Sequence, residues 1–373
     1  MDATDPDIVF DDKGICNHCT SYIEDLPKLP IFHPDSSNLL SNLINKIKKD
    51  GQGKPYDCVI GLSGGVDSTY VAYVVKKILG LRPIAVHMDN GWNSELSVKN
   101  VENIIKKLDI DLFTKILDWD EFRDLQLAFL CASTPDSEIP TDHAIGATLY
   151  EIASKYNIKH IISGANFLTE RIMPPAWSQG HGDWRYIKGL SKLFGNKKLK
   201  TFPHLNALKR FYYRRIRGIS MVPLFDFFKF NLAQARGIIQ KELEWKDYGG
   251  KHYESIYTKF FQGYILPTKF GFDKRKGHLS NLVCADVLSR IEALNELKKP
   301  PIEEAEVPYL KQYVAKKFNI DEQRLEQILK EKPKFYRDYP NIYNTLWHKK
   351  SRKYLKPVYR YFLNFMKKIS NEH

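Results

Sequence analysis

Apolar residues along the first half of the chain recur at two spacings, and their alternation predicts a parallel α/β sheet. Residues 57–62 (Asp-Cys-Val-Ile-Gly-Leu) form a short apolar run of strand type, while residues 68–79 carry apolar positions at helical spacing and stop at Gly80. A second strand is expected over residues 83–88, a helix over roughly 94–108, a third strand near 111–117 and a fourth in residues 160–166 (His-Ile-Ile-Ser-Gly-Ala-Asn). Strands that alternate with helices imply parallel pairing, with ligands lying beyond the strand C-termini where the strand order reverses. Toward the C-terminus, residues 281–299 and 308–331 read as amphipathic helices separated by Lys298-Lys-Pro-Pro.

The first strand and helix flank Ser63-Gly64-Gly65-Val66-Asp67-Ser68. Two glycines let the backbone turn sharply and expose N–H groups beside a helix N-terminus, which makes an anion site, and the Ser63 and Ser68 hydroxyls add donors for phosphate oxygens. The spacing fits neither G-x-x-x-x-G-K-[ST] nor G-x-G-x-x-G. It resembles the PP-loop, SGGxDS, of ATP pyrophosphatases, which implies cleavage of ATP between the α- and β-phosphates. By that resemblance Ser63, Gly64, Gly65, Asp67 and Ser68 hold the triphosphate, with Asp67 linked to Mg2+ or to positioning the loop. The adenosine is expected between residues 89–92 and 164–166, with Met88 and Gly164 near the base. Asp89 either contacts the nucleotide or caps the next helix. Residues 131–143 fall at the same sheet edge, where Asp136, Asp142 and His143 are candidates for contact with substrate or magnesium, and Thr141 or Asp142 alternatively caps a helix.

A second block, residues 245–281, spaces basic residues between glycines and aromatics, a pattern suited to phosphate-rich ligands. With residues 4–8 (Thr-Asp-Pro-Asp-Ile), 10–19 (Phe-Asp-Asp-Lys-Gly-Ile-Cys-Asn-His-Cys), 248–255 (Tyr-Gly-Gly-Lys-His-Tyr-Glu-Ser) and 269–280 (Lys-Phe-Gly-Phe-Asp-Lys-Arg-Lys-Gly-His-Leu-Ser), the chain resembles the N-acetyl sugar amidotransferase family of the WbpG and PseA type, in surface-polysaccharide biosynthesis. The resemblance implies a PP-loop fold of the adenine nucleotide alpha hydrolase-like, Rossmann-like class. It also implies ATP- and Mg2+-dependent conversion of an acetamido group on a nucleotide-linked N-acetyl sugar to an acetamidino group. Lys251, Lys269, Lys274 and Arg275 are the candidate cations for the α-phosphate, pyrophosphate or sugar nucleotide. His252 and Glu254 are candidates to orient the amide or accept a proton from ammonium.

Cys16 and Cys19, spaced C-x-x-C, look like half of a zinc ribbon, which needs four ligands. The resemblance implies an earlier C-x-x-C pair, so the expectation is a start internal to a longer N-terminus, or a zinc site lost or completed by His18 or His33. The expected organisation is residues 1–50 as this N-terminal segment with a helix, 51–280 as the PP-loop domain and 281–373 as a helical basic region that covers the cleft or forms a dimer surface. None of the five cysteines lies in a glutaminase-like motif, so ammonia is expected from a separate glutaminase subunit, as the resemblance also implies.

Charge changes this picture less than its size suggests. The chain of 373 residues has a formal net charge of +13. Residues 185–217 hold 11 Lys and Arg and no acid, and residues 311–373 hold 16 against 6 acids, leaving the remainder at −8. Two basic segments on an acidic body point to polyanionic partners at defined places: nucleic acid, anionic lipid or phosphorylated substrates. A tRNA-modifying PP-loop enzyme is therefore the rival reading, although paired catalytic cysteines and an RNA-recognition motif are not visible, and no nucleic-acid partner is expected. A binding module without activity is a third, disfavoured by the intact loop. The aromatic and cationic stretch 352–368 either packs on the body or rests on an anionic membrane surface. No apolar run of about 18 residues is present to span a bilayer, and the opening residues lack a secretory signal, so a cytoplasmic location is expected.

Overall fold

The computed structural model describes residues 1–228, 231–249 and 253–344. Five strands, β1 (Cys58–Gly61), β2 (Pro83–Asp89), β3 (Asp111–Ile116), β4 (His160–Ser163) and β5 (Ser220–Pro223), pair in parallel in the order β3-β2-β1-β4-β5. Helices α1 (Asn17–Asp25), α2 (Ser36–Asp50), α3 (Val66–Tyr73), α4 (Glu95–Leu108), α5 (Trp119–Cys131) and α6 (Ile139–Lys155) belong to the first half. The chain continues through α7 (Phe167–Glu170), α8 (Trp184–Phe194), α9 (Ala207–Phe211), α10 (Leu232–Leu243) and α11 (Ile256–Phe260). The last helices are α12 (Arg275–Cys284), α13 (Arg290–Lys298), α14 (Val307–Phe318) and α15 (Glu322–Lys330). Wider π-helical turns extend α3 to Ile78, α9 to Ile216 and α11 to Phe270.

Buried on both faces, β1 has no polar alternation: Cys58, Val59 and Ile60 are all fully covered. Period 2 nevertheless assigns them to different layers. Cys58 and Ile60 join a cluster with Val71 and Val74 of α3, Ile104 of α4 and Ile239 of α10. Val59 joins Ile152 of α6 and Ile161 of β4 on the opposite face. From β1 the chain moves outward through β2 and β3, then returns to place β4 on the other side of β1. The strand order therefore reverses between β1 and β4, where the loop after β1 and the end of β4 leave a crevice.

The four expected strands match β1–β4 within a few residues, whereas β5, which follows the basic segment 185–217, went unpredicted. The two expected C-terminal helices each divide in two. Asp286 adopts φ 54 and Ser289 then starts α13 with a capping box to Glu292, while Asn319 at φ 57 ends α14 and Asp321 caps α15. Apolar residues from both sides of residue 280, including Phe129, Tyr186, Phe261, Val314 and Leu325, share one core cluster. Among the described residues no helix is long and apolar enough to cross a membrane.

Candidate active site

The loop after β1 is shaped by contacts that leave no room for side chains on its glycines. Gly64 has φ +84, and a Cβ there would stand 2.6 Å from the Ser97 carbonyl oxygen. Trp245 Nε1 donates to the Gly64 carbonyl (2.8 Å) and fixes the turn from the far side. Inside the loop, the Gly65 N–H donates to Ser63 Oγ (3.2 Å), Ser68 Oγ donates to the Gly65 carbonyl (3.2 Å), and the two serine hydroxyls are 3.1 Å apart. Gly65 caps α3 without any side-chain acceptor. The first-turn N–H groups of α3 and two serine hydroxyls thus gather at one positive helix end, the geometry of a phosphate cradle.

A cavity of about 380 Å³ opens from this loop along the crevice. Ser63, Ser68, Met88 and Gly164 line it, as expected for a nucleotide site. Asp89 does not line it; its carboxylate accepts the Gly91 N–H (3.0 Å), closing a local turn, and Ser94 rather than Asp89 caps α4. Across the strand ends, Ser94 N–H donates to the Glu254 carbonyl (2.8 Å) and Ile256 N–H to the Trp92 carbonyl (2.9 Å), which holds residues 253–256 over the cavity. A Cβ at Gly65 would lie 3.0 Å from the Tyr248 hydroxyl and 3.3 Å from Glu254 Oε1. Burial, then Glu254 and Asp67, push the Tyr248 phenol up. Asp67 and Glu254 therefore gather carboxylates near the phosphate cradle, oxygen donors of the kind that hold Mg2+ together with substrate phosphates. Lys251 and His252 lie outside the described residues.

The same cavity is also lined by a charge cluster in which Asp136 is buried, Glu138 and Lys274 are half-buried and Asp142 is exposed. Burial opposes the Lys274 ammonium, but Asp136, Glu138, Asp142 and Glu170 outweigh it and hold the group above its ordinary value. Burial alone would raise Asp136, yet His181, Lys274 and Ser178 hold it down at about 2. His181 Nε2 lies 3.3 Å from Asp136 and 3.2 Å from Asp142, and these carboxylates overcome its desolvation and lift the imidazolium to about 10. Glu138 goes the other way: burial pushes its carboxyl up, while Gln262 Nε2 donates to it at 2.7 Å. His143, a candidate for contact with substrate, is instead structural. Burial drops it to about 4, its Nδ1–H donates to the His181 carbonyl (2.7 Å), and its Nε2 accepts the Leu205 N–H (3.0 Å).

Lys274 and Gln262 also line a second cavity of about 720 Å³. Arg236, Lys259, Arg275, His278 and Lys299 contribute to it, and Arg236 Nε is buried with no acceptor among the described residues. Arg275 is held by Asp273 through Nε (2.9 Å) and Nη2 (2.7 Å), so it faces the second cavity and not the first. Lys269 belongs to neither: burial drops it to about 8, and its ammonium donates to the Ile328 carbonyl of α15 (2.6 Å).

The N-terminal cysteines do not make the expected zinc site. Cys16 and Cys19 are 3.4 Å apart, and Cys284 of α12 reaches Cys19. His18 is committed to Asp5 at 2.6 Å, and His33 Nδ1 accepts the Asp35 N–H (3.1 Å). Among the described residues no group of three or more metal-ligating side chains is arranged to hold an ion. Zinc is therefore unsupported.

Two families match parts of the chain: "LPS biosynthesis protein WbpG-like, C-terminal domain" over residues 254–353, and "NAD synthase" over residues 37–128. An uncharacterised protein of Methanocaldococcus jannaschii is 24% identical over 303 residues, covering 79% of this chain and 89% of its own length. One component of the glutamine-hydrolyzing GMP synthase of Methanococcus vannielii is 29% identical over 40% of this chain and 44% of its own. Among solved structures, an NMN synthetase from Francisella tularensis is 16% identical at a TM-score of 0.28, over 69% of this chain and 95% of that one. An NH3-dependent NAD synthetase from Campylobacter jejuni is 15% identical at a TM-score of 0.29, over 57% and 86%.

Proposed function

We propose, from the premise that this chain is a PP-loop protein of the WbpG type, that it uses ATP and ammonia to convert an acetamido group of a nucleotide-linked sugar into an acetamidino group. At the coarser level such PP-loop chains are ATP-dependent amidotransferases or ligases. One observation carries the finer reading: the half-buried Lys274 lines both the phosphate-loop cavity and a second cavity rich in cations. A nucleotide sugar in the second cavity and ATP in the first would present the amide to the α-phosphate at that ammonium.

The chemistry explains why ATP is needed. An amide carbonyl is a weak electrophile and its oxygen leaves poorly. Attack of the amide oxygen on the α-phosphorus breaks the bond to the β-phosphate, releases pyrophosphate and, as the amide nitrogen gives up its proton, forms an O-adenylyl imidate. Ammonia adds to the imidate carbon and the C–O bond breaks, leaving amidine and AMP. Such a transfer asks for alignment and charge neutralisation rather than a protein nucleophile.

Ser63, Ser68 and the first turn of α3 take the leaving pyrophosphate, and Lys274 offsets charge at the α-phosphate. Glu138, whose burial raises its proton affinity, accepts the ammonium proton. Asp67 and Glu254 would hold Mg2+, which when bound neutralises the phosphates. Ammonia comes from a separate glutaminase, so the isolated chain uses ammonium salts and not glutamine. Mass spectrometry of UDP- and CMP-linked N-acetyl sugars incubated with ATP, Mg2+ and ammonium tests the reading. Replacement of one oxygen by NH supports it; ATP-dependent modification of tRNA with no change in any sugar nucleotide would defeat it.

A further inference from the structure

The 11 cations of residues 185–217 take no part in either cavity described above. Six of them, Arg185, Lys188, Lys192, Arg210, Arg214 and Arg215, line a separate groove of about 910 Å³ between α8 and the helix 207–216. Arg210 donates to the Gly182 carbonyl (3.1 Å); the other five make no ion pair with a carboxylate among the described residues. The groove's one acidic lining residue, Asp183, is turned inward, accepting from the Tyr336 hydroxyl (2.5 Å) and the Ile342 N–H (2.6 Å).

Beside these cations, the helix 207–216 carries an apolar stripe that nothing described covers. Leu208, Phe211, Tyr212 and Ile216 follow the i, i+3, i+4, i+8 spacing of one helix face and are 81, 60, 45 and 66% exposed. Leu193, at the end of α8, is 57% exposed. Aliphatic side chains at such exposure gain from a hydrocarbon phase, while unpaired cations flanking them gain from an anionic surface; the combination is that of a helix lying in a lipid interface. Nucleic acid would use the cations and stack on the aromatics but offers little to Leu193, Leu208 and Ile216. Charge also disfavours the chain's own end as occupant: residues 345–373, which start just past the groove-lining Ile342, hold 8 Lys and Arg against one Glu.

We propose that the face formed by α8 and the helix 207–216 docks on an anionic phospholipid bilayer, with Leu208, Phe211 and Ile216 entering the acyl boundary and Arg185, Lys188, Arg214 and Arg215 on the phosphates. This does not depend on the sugar-nucleotide reading, since none of these residues lines either cavity.

The test is co-sedimentation of the full chain with vesicles of phosphatidylcholine alone and of equal parts phosphatidylcholine and phosphatidylglycerol. The parent chain is expected to bind the anionic vesicles and not the neutral ones, and to release in high salt. The charge reversal R185E/K188E/R214E/R215E and the stripe variant L208S/F211S/I216S are each expected to weaken binding at least tenfold, with ATP-dependent pyrophosphate release unchanged. Leu208→Trp, at a position too exposed to disturb folding, is expected to be quenched by brominated anionic lipid beyond the parent chain. Absence of binding to anionic vesicles, or binding that both multiple variants retain, overturns the proposal. So does loss of tRNA binding in the charge reversal while the stripe variant still binds vesicles fully, an outcome that assigns the face to nucleic acid.

Discussion

The two adjoining cavities are built in opposite ways. Although its lining runs from Gly61 to Lys274, the phosphate-loop cavity takes its anion cradle from one contiguous motif, residues 63–68, set by the fold at the reversal of strand order between β1 and β4. The second cavity is assembled from residues scattered between Thr169 and Glu306, and several of its cations already have partners: Arg275 with Asp273, Lys259 with Glu306, Lys299 with Glu296. A local motif brings its backbone N–H groups and geometry with it. A dispersed site gets its specificity from tertiary packing, and its charges are tuned by neighbours that no spacing rule pairs in advance. Lys274 belongs to both, so perturbing it should damage both, while other changes should separate them.

The largest expected effect is at the loop. Gly64→Ala forces a Cβ against the Ser97 carbonyl in a left-handed backbone, and pyrophosphate release should fall by roughly 100-fold, comparable to removing a preorganised transition-state donor. Lys274→Met removes the cation shared by both cavities and should abolish turnover, while urea unfolding, with His181 still facing Asp136 at 3.3 Å, should report a loss of only about 1 kcal/mol.

Third comes the pH dependence of the charge cluster. His181 is raised from its ordinary value to about 10, so its contribution to stability is complete below about 6.5 and is lost as pH rises through 10. Asp136 is depressed to about 2, so its contribution is present above about 3.8 and is lost only as pH falls through 2. Thermal melting should hold level from mildly acidic to neutral pH and decline toward pH 10, and His181→Gln should remove that alkaline decline. An unchanged alkaline limb in the variant would show that His181 is not the group responsible.

A smaller effect separates the cavities. Arg275→Ala should raise KM for the sugar nucleotide by about tenfold, the scale of one charged hydrogen bond, and leave KM for ATP alone. The smallest is Lys269→Met, which should leave both KM values unchanged and cost about 1 kcal/mol of stability for the lost bond to Ile328; a rise in KM for ATP would return Lys269 to the site.

The same contrast governs what the sequence revealed. The alternation of apolar runs placed β1–β4, and six residues named the phosphate cradle, because both depend on neighbours along the chain. Asp136 and Asp142 were visible as candidates, but their partner His181 arrives from a loop about forty residues later and carries no motif. Lys269 and Arg275 shared one basic stretch and looked equivalent, yet the turn between them sends Lys269 to α15 and Arg275 to the second cavity. His143 read as a candidate for contact with substrate or magnesium because burial, which makes it a neutral structural group, is not a property of spacing. Cys284 came to Cys19 across 265 positions without any pattern to announce it.

The proposed amidine synthesis turns on bonding of the amide oxygen to the α-phosphorus. Supplying a nucleotide sugar with oxygen-18 in its acetamido carbonyl, with ATP, Mg2+ and ammonium, tests it directly. One labelled oxygen is expected in the phosphate of AMP for each amidine formed; label in pyrophosphate, or AMP without label during amidine formation, would rule that step out.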